Sequence, residues 1–313
     1  MSLQSWARAD IGALAALWAR CFPAKYHVDP EVLAICTTDS PLFDWGASCL
    51  SLRSGEPCAF VGVKRSAARL YKGPDQDQAH VTALCYLEPQ VAVDLMEHVK
   101  RVLIDRGVYK LVFGADHRHV FPGCPLDCPS LRDFLIIEGF QEGEEVYDLE
   151  QDLRQYKAPE RTEHAERSLR EITPELVGPL RAFLNREFPG RWSYDVFAKI
   201  AAEERSDFII GSFVGDRCDG FVMTQDSTHR LPIGGAVWRH SLGENWGSLG
   251  PMGVAASARG AGVGDALLGH ALSSMRERGV HRANVDWTTL VDFSGRHGFQ
   301  TSRTYRSFEL RVG

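Results

Sequence analysis

The sequence predicts an α+β fold of two tandem domains, each a mixed, mostly antiparallel twisted sheet flanked by helices. Three observations predict it. The 313 residues suit two domains of about 150 residues better than one. Helical and strand periodicities alternate along the chain, and segments of the first half recur in the same order in the second half. We place the domains at residues 1–155 and 165–313, on either side of the polar, charged segment 152–167.

The internal repeat rests on three pairs of similar segments. In the first pair an amphipathic helix ends at a proline, in the second a helix ends at a glycine before a short strand, and in the third Gly-Phe-Gln precedes a terminal strand. In chain order the pairs are Leu17–Pro23 with Phe183–Pro189, Asp105–Val108 with Glu277–Val280, and Gly139–Gln141 with Gly298–Gln300. Chance explains any one match but hardly three in the same order, so the chain holds two copies of one domain, here called the first and second repeats.

The periodicity of the second repeat predicts its helices and strands one by one. In chain order we expect helices at Thr173–Phe188 and Tyr194–Glu204, strands at Phe208–Val214, Gly220–Thr224, Ala236–His240 and Ser248–Val254, a helix at Gly264–Arg278, and strands at Arg282–Trp287 and Ser302–Val312.

A strand, a glycine-rich turn and a helix start follow one another directly in the second repeat. Leu249–Val254 is apolar, Arg259–Gly264 has the sequence RGAGVG, and apolar residues then recur at helical spacing. Glycines let the backbone approach an anion closely, and a helix N-terminus adds partial positive charge. We therefore expect a diphosphate at this turn.

The first repeat differs at the equivalent position. Its strand Val81–Leu87 passes through Glu88–Gln90 straight into a helix, so the glycine-rich turn is missing from the sequence, and an extra segment follows at residues 117–130. We expect the first repeat to have lost the anion site.

A dinucleotide-binding fold is the main alternative for the glycine-rich turn. Asp286 ends the next predicted strand about 20 residues after the turn, as that fold requires. However, Asp265 stands where the third glycine belongs, and only 27 residues follow Asp286, too few for the rest of a doubly wound sheet.

Composition and charge exclude several classes of function. The net charge of −6 and the lack of a Lys/Arg run argue against nucleic acid as a partner, and no apolar run is long enough to span a membrane. The N-terminal segment is amphipathic and is not a signal peptide, and the eight cysteines are scattered. We expect a cytoplasmic protein, and leave open whether it is a monomer or a homodimer.

Cys124 and Cys128, with His117 and His119 nearby, invite comparison with a zinc site. Three prolines in this segment suggest a rigid surface loop instead, and the paired spacing of structural zinc sites is missing. We therefore predict no metal.

From Arg259 to Gly264 the chain resembles the GCN5-related N-acetyltransferases, a family whose signature is a strand ending in Val, then Arg/Gln-Gly-x-Gly-Val/Ile-Gly five residues later, then a helix. Val254 and Arg259 have that spacing, and Gly298-Phe299 matches the family's closing Gly-Phe. The whole chain resembles the tandem, mycothiol-synthase-like members, in which one domain binds the cofactor and the other is degenerate.

The resemblance implies a binding site for acetyl-CoA as co-substrate. The strands ending at Val254 and Trp287 would splay apart to admit the pantetheine arm. The backbone of Met252, Gly253 and Val254 would pair with that arm as an added strand would, and the Val254 N–H would stabilise the oxyanion. The N–H groups that would hold the pyrophosphate are those of Arg259, Gly260, Ala261, Gly262, Val263 and Gly264.

The catalytic and acceptor residues are less clear from the sequence. Ser294 stands where family members commonly carry a tyrosine that protonates the leaving thiolate, and nothing in the sequence places Tyr305 near it. Asp286 is either a general base or an ordinary strand-end carboxylate. The substrate-binding candidates at the acceptor cleft are Arg191, Trp192 and Trp287, although a packing role for Arg191 and Trp192 is equally consistent with the repeat.

The resemblance thus implies an N-acetyltransferase that moves an acetyl group from acetyl-CoA to a primary amine of a small molecule by direct attack. The first repeat would support the fold and is expected to wall the acceptor cleft, as a dimer partner does elsewhere in the family. The alternative is a non-catalytic acyl-CoA-binding sensor or scaffold. The acceptor stays open among amino sugars, polyamines, aminoglycosides, amino-acid derivatives and peptide N-termini.

Overall fold

A computed structural model describes residues 3–66, 78–159 and 167–312 of the chain. The chain divides into two units: unit 1 comprises Met1–Val146 and Arg303–Gly313, and unit 2 comprises Tyr147–Ser302. The predicted domains 1–155 and 165–313 follow the order of the chain, whereas the units do not. Most of the terminal strand of the second repeat lies in unit 1, and the latter half of the terminal strand of the first repeat lies in unit 2, because strand pairing, and not chain order, decides which segments pack together.

The elements of the first repeat begin and end as follows. In chain order they are β1 Leu3–Ser5, α1 Ile11–Cys21, α2 Pro30–Cys36, β2 Cys49–Arg53, β3 Glu56–Arg65, β4 Gln78–Tyr86, α3 Pro89–Asp105, β5 Lys110–Phe113, β6 Cys124–Pro125, α4 Pro129–Ile137 and β7 Gln141–Asp152. Helices α2, α3 and α4 each begin at a proline, a residue suited to the first helical turn because it has no N–H to leave unpaired.

The elements of the second repeat follow nearly the same order. They are β8 Arg167–Glu171, α5 Val177–Glu187, α6 Arg191–Glu203, β9 Ile209–Val214, β10 Arg217–Asp226, α7 Arg239–Leu242, β11 Trp246–Val254, α8 Val263–Glu277, β12 Arg282–Thr288, α9 Val291–Gly295 and β13 Gln300–Arg311. A 3-10 helix at Gly234–Trp238 precedes α7.

The sheet of unit 1 runs in the order β1-β2-β3-β4-β5-β13. Its neighbours are antiparallel except β4 and β5, which pair in parallel from Gln78 with Lys110 to Val81 with Phe113. The final strand β13 pairs with β5 through Glu309 and Val112. The first repeat therefore completes its sheet with the last strand of the chain.

The sheet of unit 2 runs in the order β8-β9-β10-β11-β12-β7. Its one parallel pair is β11 with β12, and β7 closes the sheet antiparallel to β12, with Leu149 opposite Val285. Helix α8 buries the apolar stripe that its sequence predicts, including Leu267, Leu268 and Met275. Leu267 approaches β10 closely because Gly220 has no side chain there.

The predicted α+β fold class is confirmed, and most predicted elements lie within a few residues of the observed ones. The strand predicted at Ala236–His240 is wrong: the segment forms the 3-10 helix Gly234–Trp238 and α7. Gly234 has φ +59°, a left-handed conformation that interrupts an extended strand. In the segment 152–167, Asp152 ends β7 and residues 160–166 lie outside the described part. No described helix has the length and apolar character needed to cross a membrane.

Candidate active site

The parallel strands β11 and β12 separate halfway along their length. They pair from Trp246 with Arg282 to Leu249 with Val285 and no further. At that point Gly250 and Pro251 form a bulge opposite β10, after which β11 continues to Val254 paired with β10 alone. The strands therefore leave an open V between their C-terminal ends, as the family resemblance implied.

The hydrogen-bonding pattern of β11 decides which backbone groups face this V. The Ala255 N–H donates to the Asp219 carbonyl of β10 at 2.8 Å. Because successive residues of an antiparallel strand point their N–H and C=O to alternate sides, Gly253 bonds to β10, whereas Met252 and Val254 turn their backbone groups away from β10, towards the V. The geometry thus favours two of the three predicted backbone partners and directs Gly253 elsewhere.

Because Gly253 has no side chain, two aromatic rings can pack closely against its backbone. A Cβ atom on this residue would lie 2.6 Å from the Phe188 ring and 3.1 Å from the Trp192 ring. Both rings therefore rest directly on the backbone of β11, in a cluster that also contains Phe221.

The glycine-rich turn lies between Val254 and the start of α8. Gly260 and Gly262 have φ of +77° and +72°, and nothing lies within 4 Å of where their Cβ atoms would be. Gly262 is the N-cap of α8 and provides no side-chain cap. Within the described chain, no group accepts the N–H groups of residues 260–265, and the first helical bond comes from Ala266 to Gly262. A run of unpaired, parallel N–H groups at a helix N-terminus is suited to a phosphate.

Two charged residues shape the approach to this turn. The Arg259 Nε donates to the Val254 carbonyl at 3.2 Å, so the guanidinium folds back over the end of β11. The Glu187 carboxylate accepts the Ala256 N–H at 3.1 Å, and this bond holds the pKa of Glu187 below its ordinary value. Glu187 thus fixes the segment that leads into the turn.

Ser294 lies in α9 and is 3% exposed. The neighbouring Phe293 ring is 3.3 Å from where a Cβ on Gly264 would lie, so α9 packs against the first turn of α8. Tyr305 belongs to unit 1, where it is fully buried and lies 6.2 Å from Tyr26 between ring centroids. Tyr305 is therefore a core residue of the other unit.

Asp286 directly follows the last pair of β11 and β12, so it lies at the closed end of the V, where the two strands begin to separate. One of its carboxylate oxygens would be 3.0 Å from a Cβ on Gly234, and the other 3.4 Å from a Cβ on Gly250. The carboxylate thus lies between the bulge of β11 and the 3-10 helix Gly234–Trp238.

The acceptor candidates Arg191 and Trp287 meet in the structure, and Trp192 lies close by. The Arg191 guanidinium is 4.5 Å from the Trp287 ring centroid, and its Nε donates to the Asp195 carboxylate at 3.0 Å. Trp192 and Trp287 remain 37% and 36% exposed, enough for each ring to offer surface to a ligand.

Asp148 is a member of this region that the sequence did not reveal. It is fully buried in β7, its Oδ1 accepts the backbone N–H of Trp287 at 3.1 Å, and its Oδ2 accepts the Nε1–H of Trp238 at 2.9 Å. Asp148 precedes the turn by more than 100 residues and belongs to the first repeat, so no local pattern connects it to the site.

The cysteine-histidine segment of unit 1 is a packed part of the core. Burial raises the pKa of Cys128 to about 11 and that of Cys124 further, which disfavours the thiolate form that binds zinc. Among the described residues, no three His, Cys, Asp or Glu side chains lie close enough together to hold a metal ion.

Residues 177–299 match the family model of the acetyltransferase (GNAT) family. Unit 2 contains a GNAT domain. The family establishes an acyltransferase type for this domain, and its match spans both the V and the glycine-rich turn. A comparison with curated proteins found no match.

Solved structures show that the tandem GNAT fold extends over the whole chain. A GCN5-related glucosamine N-acetyltransferase region of a fungal multi-domain GH3 β-N-acetylglucosaminidase matches 99% of this chain at 20% identity with a TM-score of 0.86, and this chain spans 38% of that protein. A GCN5-related N-acetyltransferase from Sphaerobacter thermophilus matches 99% of this chain and 95% of its own at 17% identity and TM-score 0.74. A tandem GNAT protein from the clavulanic acid biosynthesis pathway matches 100% and 98% at 15% identity and TM-score 0.69.

Proposed function

We propose that the GNAT domain of unit 2 transfers an acetyl group from acetyl-CoA to a primary amine of a small molecule by direct attack. The observation that carries the proposal is the pairing of two features. The unpaired N–H groups of residues 260–265 lie at the end of the same strand, β11, that separates from β12 to form the V. An anionic head and an extended arm joined together, as in CoA, match this combination.

The residues present fit acetyl-CoA. The glycine-rich turn would hold the pyrophosphate, and Arg259 would add a positive charge beside it. The outward backbone groups of Met252 and Val254 would hold the pantetheine arm in the manner of an added strand. When bound, acetyl-CoA supplies a thioester whose acyl carbon accepts a nucleophile.

The protein groups around the V would assist the attack of the amine. The Val254 N–H would donate to the oxygen on which negative charge develops, and the Asp286 carboxylate would accept the proton that the amine loses. Ser294 replaces the tyrosine of the family, and its hydroxyl is a weaker acid. The proposed mechanism therefore relies on geometry and oxyanion stabilisation more than on protonation of the thiolate.

We further propose that the first repeat is a degenerate copy without its own acetyl-CoA site. In unit 1 only Leu87 and Glu88 separate β4 from α3, which leaves no turn to surround a pyrophosphate.

Thermal stabilisation by acetyl-CoA tests the binding site. We expect the wild type to be stabilised and Gly262→Asp to lose that stabilisation, because the new carboxylate would occupy the anion site. Gly215→Asp is the matched control, since Gly215 also has positive φ and open space around it but lies in the β9–β10 turn. No stabilisation of the wild type at millimolar acetyl-CoA would contradict the proposal.

Thiol release across a panel of amines separates an enzyme from the alternative, a non-catalytic acyl-CoA sensor, which Ser294 in the tyrosine position favours. Amino sugars come first in the panel, because the fungal structure of similar fold is a glucosamine N-acetyltransferase region. Acetyl-CoA binding without turnover on any amine would favour the sensor.

A further inference from the structure

Strand β12 carries a bulge where it reaches the acceptor site. Val285 pairs with Leu149 and Thr288 with Tyr147, so Asp286 and Trp287 together lie opposite the single residue Asp148. Bulges of this kind redirect side chains and are frequent beside active sites. Here the bulge places Asp286 at the closed end of the V and Trp287 beside Arg191.

The bulge holds Trp287 in an unusual conformation. Its φ is +46°, a left-handed value that is sterically unfavourable for a bulky residue. The backbone N–H of Trp287 donates to the Asp148 side chain at 3.1 Å, a bond that is not part of the regular strand ladder.

Asp148 is itself held in place from a second direction. Its other carboxylate oxygen accepts the indole N–H of Trp238, 2.9 Å away, and its carbonyl accepts the hydroxyl of Ser302 at 3.2 Å. Asp148 and Trp238 are 0% and 1% exposed, so the bond between them lies in a low-dielectric interior, where a hydrogen bond to a carboxylate is strong.

We propose that Asp148 is a positioning residue of the acceptor site, acting through the backbone of Trp287 to hold the Asp286–Trp287 bulge in its active conformation. The role rests on the proposed acetyl transfer at this site. It also gives the first repeat a part in the reaction of the second, because Asp148 lies on the terminal strand of the first repeat.

The substitution Asp148→Asn tests this role sharply. Asparagine keeps the shape but has one acceptor oxygen and one NH₂ donor, so either the Trp287 N–H or the Trp238 indole N–H must face a second donor. We expect the KM of the acceptor amine to rise, or kcat to fall, about tenfold or more. The KM of acetyl-CoA should stay within about twofold, since the glycine-rich turn is untouched.

Two further variants separate positioning from general destabilisation. Glu203→Gln is the matched control: Glu203 is also a buried carboxylate that accepts backbone N–H groups, from Arg230 and Leu231, at the far end of α6. It should lower the melting temperature without changing the acceptor KM. In Asp148→Asn/Trp238→Phe one donor is gone, so the asparagine oxygen is available to Trp287 and the acceptor KM should recover. The proposal would be overturned if Asp148→Asn also lowered the melting temperature and left the acceptor KM unchanged.

A spectroscopic measurement keeps the proposal independent of turnover. In protein labelled with 5-fluorotryptophan, the Trp287 resonance is assigned from Trp287→Phe. We expect Asp148→Asn to shift the Trp287 resonance and Glu203→Gln to leave it in place. Absence of turnover in the wild type would contradict the proposed function alone, whereas an unmoved Trp287 resonance in Asp148→Asn would contradict the positioning role.

Discussion

The two units differ in the connection between the fourth strand of a repeat and the long helix that follows it. In unit 1, β4 ends at Tyr86 and α3 begins at Pro89, with Glu88 at the N-cap. In unit 2, the eight residues 255–262 separate β11 from α8, and no carboxylate occupies the N-cap. The fold forms with either connection, so the longer, glycine-rich one is not a requirement of folding, which supports the proposed role of this turn in ligand binding.

The sides of the sheets where an acceptor would bind also differ. In unit 1, Phe121 from the segment 117–130 packs 5.2 Å from Trp18 and 5.4 Å from Tyr26, between ring centroids. Lys64 and Asp116 form a buried ion pair beside this segment. In unit 2 the equivalent region keeps Trp192 and Trp287 partly exposed. Unit 1 therefore fills this region with its own side chains, whereas unit 2 leaves ring surface exposed there.

The largest expected effect comes from the ion pair of unit 1. Lys64 donates to Asp116 and to the carbonyls of His117 and Arg118. Lys64→Met leaves a buried carboxylate without its partner, and we expect the free energy of unfolding in urea to fall by about 3–5 kcal/mol. The dissociation constant for acetyl-CoA, measured by calorimetry on the folded protein, should stay unchanged.

The double variant Lys64→Met/Asp116→Leu should recover much of that stability, because no unpaired charge remains. A loss of acetyl-CoA affinity in folded Lys64→Met would contradict the separation of roles between the units.

Gly253→Ala should have the next largest effect. Its new Cβ would lie 2.6 Å from the Phe188 ring, and relieving such a contact costs about 1–3 kcal/mol. Displacement of Phe188 and Trp192 should also raise the KM of the acceptor. Cys85 occupies the corresponding position in unit 1, where it lies opposite Phe60 as Gly253 lies opposite Phe221. The control variant Cys85→Ala should leave the KM of the acceptor unchanged.

Removing the support of the glycine-rich turn should have a smaller effect. Glu187→Leu deletes the acceptor of the Ala256 N–H, and we expect the dissociation constant for acetyl-CoA to rise about threefold, as for one partly exposed hydrogen bond. Glu187→Gln keeps an acceptor oxygen and should bind nearly as the wild type does. Equal weakening in both variants would indicate that charge, and not this bond, is what matters.

The smallest effect concerns Glu88, at the N-cap of α3 in unit 1. Paired hydrogen bonds from Arg53, of 2.6 and 2.7 Å, lower the pKa of Glu88 below its ordinary value. A lowered folded pKa means that the pair stabilises the protein above the ordinary carboxyl pKa, and that its contribution is lost as the pH falls through the folded pKa. Because the pair is exposed, the effect is small.

Urea midpoints of the wild type and Glu88→Gln check this expectation. The wild type should be slightly more stable at neutral pH, and the two midpoints should converge in acid. A difference that grows in acid would contradict the assigned sign.

The sequence predicted those parts of the fold and site that local patterns encode. Glycines at Gly260 and Gly262, the spacing from Val254 to Arg259, and the apolar stripe of α8 indicated the strand, turn and helix that the structure contains. The strand wrongly predicted at Ala236–His240 shows the limit of the method, because an apolar run with a glycine start suits a strand and a 3-10 helix equally well.

Asp148 and the exchange of terminal strands could not be predicted in this way. The repeat placed β7 in the first domain and β13 in the second, as chain order suggests, and only long-range pairing brings the latter half of β7 into unit 2 and most of β13 into unit 1. The bulge at Asp286 and Trp287 depends on that pairing, since two residues can oppose one only when the partner strand is known.

The pairing of Val112 with Glu309 has a consequence for folding during translation. At about 5–20 residues per second, translation of the roughly 150 residues between the end of β7 and the start of β13 takes about 7–30 seconds. During that interval the edge of β5 that later pairs with β13 lacks this partner. Exposed strand edges of this kind favour aggregation of nascent chains and binding by chaperones. The first repeat is therefore translated before the second, but its sheet is complete only after β13 has been made.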